Sequence, residues 1–375
     1  MIIGIPKETL PGENRVALLP SDIKRISSEE ITFIVEKGAG IQSNISDENY
    51  ITSGAKISSD VYSESNLIIK INSPNKEELN KINKNGSIIS LFSPFTNHDT
   101  VQYLAKNNIS SFCLELIPRS TYAQSMDVLS SQATVAGYKA VLNAANHLDK
   151  FIPMLMTPAG TIKPANILII GAGVAGLQAI ATANRLGAKV EAFDVRPAAR
   201  EQVESLGAKF LYMDLDDSAE TDSGYAIEMN EEFIRKEMEL LHNASKRVDA
   251  IITTALIFGK KAPILIKDYM VNDMKRGSCI IDLAAENGGN CELTKKGEII
   301  SHNGITIDGR LNLPSQIPYH ASQMLSKNIS KLLMDIIENG NLKFDMDNEI
   351  INGCLLTHQG KIVHEMTKKI IEGDK

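Results

Sequence analysis

The chain has 375 residues, too many for one compact core and a comfortable length for two domains. A formal net charge of −7, with 43% hydrophobic and 23% charged residues, describes an ordinary folded protein. Such a mildly acidic chain is a poor candidate for nucleic acid, whose affinity rests on basic patches, and the sequence shows no concentrated basic face for anionic lipid. Cys113, Cys279, Cys291 and Cys354 lie far apart without zinc-ligand spacing, so reduced thiols and no metal site are expected.

The N-terminus, MIIGIPKETLPGEN, lacks the basic and apolar regions of a signal peptide. IIGIPKE (2–8), ITFIVEKGAG (31–40), NLIIKIN (66–72), SIISLF (87–92) and SSFCLEL (110–116) read as short apolar strands bounded by turn residues. SDIKRISSEE and NHDTVQYLAKNN read as helices between them, the first capped by Ser21. Such alternation predicts a parallel sheet covered on both faces.

Next comes PRSTYAQSMDVLSSQATVAGY (118–138), which crowds Arg119, Gln124, Asp127 and Ser130 into a short loop without His, Lys or Cys. It is either a polar lead into a helix, with Ser130 or Ser131 as cap, or a site that positions groups rather than carrying a dedicated base. A helical stretch follows through KAVLNAANHLDKF, then a loop, MLMTPAGTIKPA.

A second strand series runs NILIIGAG, KVEAFDV, KFLYMD, VDAIITTA, SCIIDLAA and GITIDGR, with helices AGLQAIATANRLG and PAAREQVESLG between. This is the rhythm of a doubly wound domain. The apolar run 165–188 approaches the length of a membrane span, but its interior is GAGVAG, so no span is expected. The acidic insertion 214–243 is too long for a simple connection and reads as a lid or a solvated helix. Residues 321–339 form an amphipathic helix, and EIINGCLLT and KIVHE two short β-like runs.

The expected fold is therefore α/β, with two doubly wound, parallel-sheet, Rossmann-like domains. Residues 1–138 with about 328–375 form a discontinuous first domain, and about 139–327 the second.

Gly171-Ala-Gly173-Val174-Ala175-Gly176 follows a strand and opens a helix. In that context the glycines serve the tight turn, the approach of a pyrophosphate, and close helix–strand packing. The free N–H groups of the helix start suit phosphate. Asp194 ends the next strand, where a carboxylate accepts from ribose hydroxyls and repels a 2′-phosphate, favouring NAD(H). Val195 and Arg196 complete this segment, and an Arg so close softens the preference.

With PKE…ENRVALLP, RSTYAQSMDVLSSQ, GAGVAGLQAIATANRLGA, EQVESLGAKF, TTALIFGKKAPILI and IIDLAAENGGNCELT, the sequence resembles the NAD(H)-binding component of proton-translocating NAD(P) transhydrogenase, over essentially its whole length. The resemblance implies a homodimer whose two-domain subunits close on NAD(H) in a cleft. It implies an NADP(H)-binding partner domain and a separate transmembrane proton-conducting subunit. Hydride would pass directly between the nicotinamides, with Si/Re specificity, and the chain would sit in the cytoplasm, peripheral on the inner face of the membrane through its partner. It places Arg119 and Ser130 at the nicotinamide carboxamide, Gln124 at its ribose and the partner, and Asp127 as the loop's brace. It extends the cofactor-binding set to Gln132, Thr254, Ala255 and Leu256, and makes Tyr225 the closing residue of a mobile loop over about 214–232.

Alanine dehydrogenase shares several of these motifs. Arg15 matches its substrate arginine, but Asn72 stands at the second lysine of its K-x-K-x-P pattern, Thr96 at its histidine and Glu286 near its aspartate. Amino-acid oxidation is therefore not expected. A non-catalytic NAD(H)-binding sensor is a third reading. His320 reads as structural.

Overall fold

The computed structural model describes residues 1–212, 231–256 and 259–373. The chain divides into two compact units: residues 1–132 with 314–375 (unit 1) and residues 133–313 (unit 2). The boundaries precede those expected at 138 and about 327. At the first, Val128–His147 is a single 20-residue helix that runs through the boundary, so no composition change marks it.

Unit 1 opens with six parallel strands, β1 (Ile2–Ile5), β2 (Thr32–Glu36), β3 (Lys56–Ser58), β4 (Leu67–Ile69), β5 (Ser87–Ser90) and β6 (Ser110–Cys113). Alternate side chains enter different cores. Ile3, Phe33, Val35, Leu67, Ile69, Ile89 and Phe112 pack on one face, while Ile34, Ile68, Ile88 and Cys113 pack on the other. Burial on both faces explains why these strands read as continuous apolar runs. Strand β3 lies at the sheet edge with Lys56 exposed, and its short pattern gives no strand signal in the sequence. Ser21 does not cap the first helix. Leu19 occupies the N-cap and Pro20 opens the helix, because proline's fixed φ and missing N–H suit that position.

Unit 2 takes in most of the helix Val128–His147 and continues with a hairpin, β7 (Leu155–Thr157) and β8 (Gly160–Ile162), where the sequence predicts only a loop. Its main sheet comprises β9 (Asn166–Ile170), β10 (Lys189–Phe193), β11 (Lys209–Phe210), β12 (Ala250–Thr253), β13 (Cys279–Asp282), β14 (Ile299–His302) and β15 (Ile305–Asp308). The order is β11-β10-β9-β12-β13-β15-β14, parallel except for the edge pair β14–β15. Ile167 and Ile169 face one core and Leu168 and Ile170 the other. The chain winds outward from β9 through β11, then returns to β12 on β9's other side. The order thus reverses between β9 and β12, the place where open α/β sheets bind ligands.

The tail completes unit 1. Helix Pro318–Ile336 buries Leu325, Ile329, Leu332, Leu333 and Ile336 in the same core as Ile3 and Phe33. A small hairpin follows, β16 (Ile337–Glu338) with β17 (Asn341–Leu342). The run EIINGCLLT splits: Glu349–Cys354 is helical, and the rest forms β18 (Leu355–His358), antiparallel to β6. Strand β19 (Lys361–Ile362) closes an eight-stranded sheet, β19-β18-β6-β5-β4-β1-β2-β3.

Candidate functional site

In unit 2, strand β9 runs into Gly171, whose φ of +96° favours glycine. A Cβ there would lie 2.6 Å from Thr254 Oγ1, and one at Gly176 would lie 1.8 Å from Gly171 O. Both close approaches therefore require glycine. Gly173 differs, since a Cβ added there meets nothing within 4 Å. Its open face is where a pyrophosphate can approach backbone. Gly173 is also the N-cap of helix Val174–Arg185, and no side chain caps it. Its first N–H groups and positive dipole end are therefore available to an anion. The opposite side of this first turn is packed tightly, because a Cβ at Gly137 would lie 2.1 Å from Ala175 O. In the sequence Gly137 reads only as helix interior; the small-residue run ATVAGY is the signal for it.

Asp194 follows strand β10. Its Oδ2 accepts from the Ala172 N–H (2.7 Å), tying it to the glycine turn, and Oδ1 accepts from Arg196 N (2.9 Å). The Arg196 guanidinium adds bonds of 2.9 and 3.0 Å. Burial alone would raise the Asp194 carboxyl; the Arg196 side chain and the two backbone N–H groups outweigh it and hold the group below the usual carboxylate range. The carboxylate is nearly buried while the Arg196 side chain is 62% exposed, and the guanidinium occupies two of its acceptor positions. Val195 beside it is exposed.

Thr254 follows β12 and locks to the turn: its N–H donates to Ile170 O (2.8 Å) and Oγ1 to Gly171 O (2.9 Å). The Ala255 N–H donates to buried Asn290, which the sequence reading does not single out, and Leu256 is exposed. Tyr225 and the segment 214–230 lie outside the described residues.

In unit 1, the loop after β6 is fixed by some residues and presents others. Ala123 and Met126 are buried, Asn328 donates to Ser125 O (2.8 Å), and Tyr122 donates to Asp335 (2.6 Å). Asp127, rather than Ser130 or Ser131, caps helix Val128–His147: its carboxylate accepts from Ser130 N (2.9 Å) and Ser130 Oγ (2.6 Å). Arg119 and Gln124 are exposed, and their side chains bond to none of the described residues. The loop thus offers a guanidinium and an amide to whatever docks there.

Gln132 is buried and internally engaged. Its Oε1 accepts from Arg15 Nη1 (2.8 Å) and its Nε2 donates to Ala321 O (3.1 Å). Arg15 is itself buried and paired to Glu13 at 2.6–2.8 Å. Asn72 donates to Glu13 (2.9 Å) and Glu8 (3.2 Å), and buried Lys70 pairs with Glu78 (2.7 Å). Thr96 and Glu286 are exposed, as is His320, which meets Tyr319 edge-on. Among the described residues no group of three or more His, Cys, Asp or Glu could hold a metal, and no helix is long and apolar enough to cross a membrane.

Residues 4–136 match the N-terminal domain of alanine dehydrogenase/PNT, and residues 140–365 match its C-terminal domain. The chain belongs to the alanine dehydrogenase/PNT family. Within that family it is 43% identical to an NAD(P) transhydrogenase subunit alpha chain of Rhodospirillum rubrum, covering 97% of this chain and 98% of that one. The crystal structure of transhydrogenase from Sinorhizobium meliloti superposes with a TM-score of 0.88 at 40% identity, over 97% of this chain and 100% of that chain. An L-alanine dehydrogenase structure gives a TM-score of 0.82 at 23% identity, over 99% of both chains, and so shares the fold.

Proposed function

We propose that this chain is the NAD(H)-binding alpha component of a proton-translocating NAD(P) transhydrogenase. The observation that carries the reading is the glycine turn, open at Gly173 and flanked by Asp194, in a chain alike from end to end to transhydrogenase alpha chains.

The N–H groups at Gly173–Gly176 bind pyrophosphate, and Asp194 accepts from the adenosine ribose once Arg196 swings aside. Thr254, Ala255 and Leu256 line the nicotinamide side. Arg119 and Ser130 orient the carboxamide, Gln124 meets the ribose and the NADP(H)-binding partner, and Asp127 holds their loop. When bound, NADH supplies a hydride, both electrons included, which the NADP+ held by the partner domain accepts. No proton is released at this step, which is why a loop without a dedicated base suffices. Placing the ring is the task left to these residues. Proton movement belongs to a transmembrane partner, to which this chain attaches from the cytoplasmic side. A homodimer fits the exposed apolar side chains of the β7–β8 hairpin and its approach, Met154, Met156 and Ile162.

Alanine oxidation is disfavoured by one arrangement in particular. Glu13 already occupies the Arg15 guanidinium, where an amino-acid carboxylate would have to bind.

The test is nucleotide titration followed by mixing. NADH should bind well ahead of NADPH, and equal affinity would remove the role given to Asp194. Mixed with an NADP(H)-binding domain, the protein should exchange hydride between an NADH analogue and NADP+. Binding of both nucleotides without exchange would favour a sensor, and robust turnover of alanine with NAD+ would favour the dehydrogenase.

A further inference from the structure

Ala255 lies just past β12 at the sheet's switch point, and one buried side chain ties it to Pro263. Asn290 Oδ1 accepts from Ala255 N (3.0 Å), while its Nδ2 donates to Ala255 O (2.8 Å) and Pro263 O (2.9 Å). Every polar atom of the amide is used, and a flipped amide would set N–H against N–H. Asn290 is wholly buried, and its own carbonyl accepts from Leu265 N and Ile266 N.

Asp282, at the end of β13, holds this asparagine. Its Oδ2 accepts from Asn290 N (2.8 Å), Cys291 N (3.0 Å) and Thr294 Oγ1 (2.6 Å), and its Oδ1 from Thr253 Oγ1 (2.9 Å). Gly289, at φ +80°, makes this possible, because a Cβ there would lie 2.7 Å from Asp282 Oδ2. The brace therefore links β13 to β12 and fixes the plane of the peptide next to Thr254, which itself grips the glycine turn.

We infer that Asn290 is a positioning residue for the nicotinamide half of the dinucleotide, acting through the Ala255 backbone. In this topology Asp194, on the β10 side of the crevice, serves the adenosine half, and the β12 loop serves the other. The inference rests on the NAD(H)-binding reading proposed above.

The test compares NADH with 5′-AMP, by calorimetric titration of the full chain. Asn290→Ala should weaken NADH by about tenfold, the scale of one lost buried hydrogen bond, and leave 5′-AMP within about twofold. Asn290→Asp, nearly isosteric, keeps the acceptor and loses both donors, so it should show the same asymmetry should the alanine variant fail to fold. Equal losses for both ligands, or an unchanged NADH affinity, would overturn the inference. If the wild type bound AMP but not NADH, the NAD(H) reading would fail instead.

Discussion

The carboxylate of Glu13 is fully buried and accepts from Arg15 N, Nε and Nη2 and from Asn72. Burial pushes its pKa up, but Arg15 and Asn72 outweigh burial and bring it from 4.5 down to about 2. A depressed carboxyl adds stability above its unfolded pKa that is lost as pH falls through the folded one. The window is therefore pH 4.5 to 2. Glu13→Gln, which leaves Arg15 buried without a counter-charge, should cost about 3 kcal/mol at pH 7. Urea unfolding should show that gap shrinking as pH approaches 2, and a constant gap would refute the pairing as its origin. The glycine turn allows a second residue-level contrast. Gly176→Ala forces a Cβ to within 1.8 Å of Gly171 O and should lower the melting temperature by several degrees. Gly173→Ala meets only open space, so it should melt like the wild type yet bind NADH at least about tenfold more weakly. Unimpaired binding by that variant would count against a pyrophosphate at the turn.

At the level of elements, the helix Val128–His147 depends on Asp127 for its start. Asp127→Ala should cost about 1 kcal/mol, as lost caps do, and slow hydride exchange by loosening the loop that presents Gln124. Asp127→Asn keeps the acceptor and should recover most of the stability; failure to do so would assign the loss to charge instead. How much of this is readable follows from what each element buries. Strands β4, β5, β9 and β12 are covered on both faces, and their apolar runs make them plain. Strands β3 and β14 are edges with exposed residues and short patterns, so the sequence hides them. The β7–β8 hairpin is hidden in MLMTPAGTIKPA, whose Pro and Gly mark a turn without showing that its flanks pair. The glycine turn is legible because GAGVAG sits between a strand and a helix. Asn290 is not, since ENGGN invites comparison with a rival enzyme's aspartate, and only the fold brings its amide to Ala255.

For the whole molecule, the exposed side chains of the β7–β8 hairpin bear on assembly. Met156 is 79% exposed, an unusual position for a large apolar residue with neighbours of the same kind. Sedimentation should show a dimer, and Met156→Asp should shift it toward monomer with little change in NADH affinity. A wild type that sediments as a monomer at micromolar concentration would remove the dimer from the proposal.

The return of the tail to the first sheet also sets an order of assembly during synthesis. Strand β6 ends at Cys113, but its neighbour β18 does not begin until Leu355. Until that segment leaves the ribosome, β6 is an open edge and helix Pro318–Ile336 is missing from its core, so unit 1 must wait. Unit 2 is one uninterrupted stretch, 133–313, and can close first, so the usual N-terminal-first order is reversed. Residues 133–313 expressed alone should therefore melt cooperatively, while nascent chains halted before Leu355 should leave their first 132 residues open to protease. Protection of those residues in the halted chains would show that unit 1 assembles without its tail.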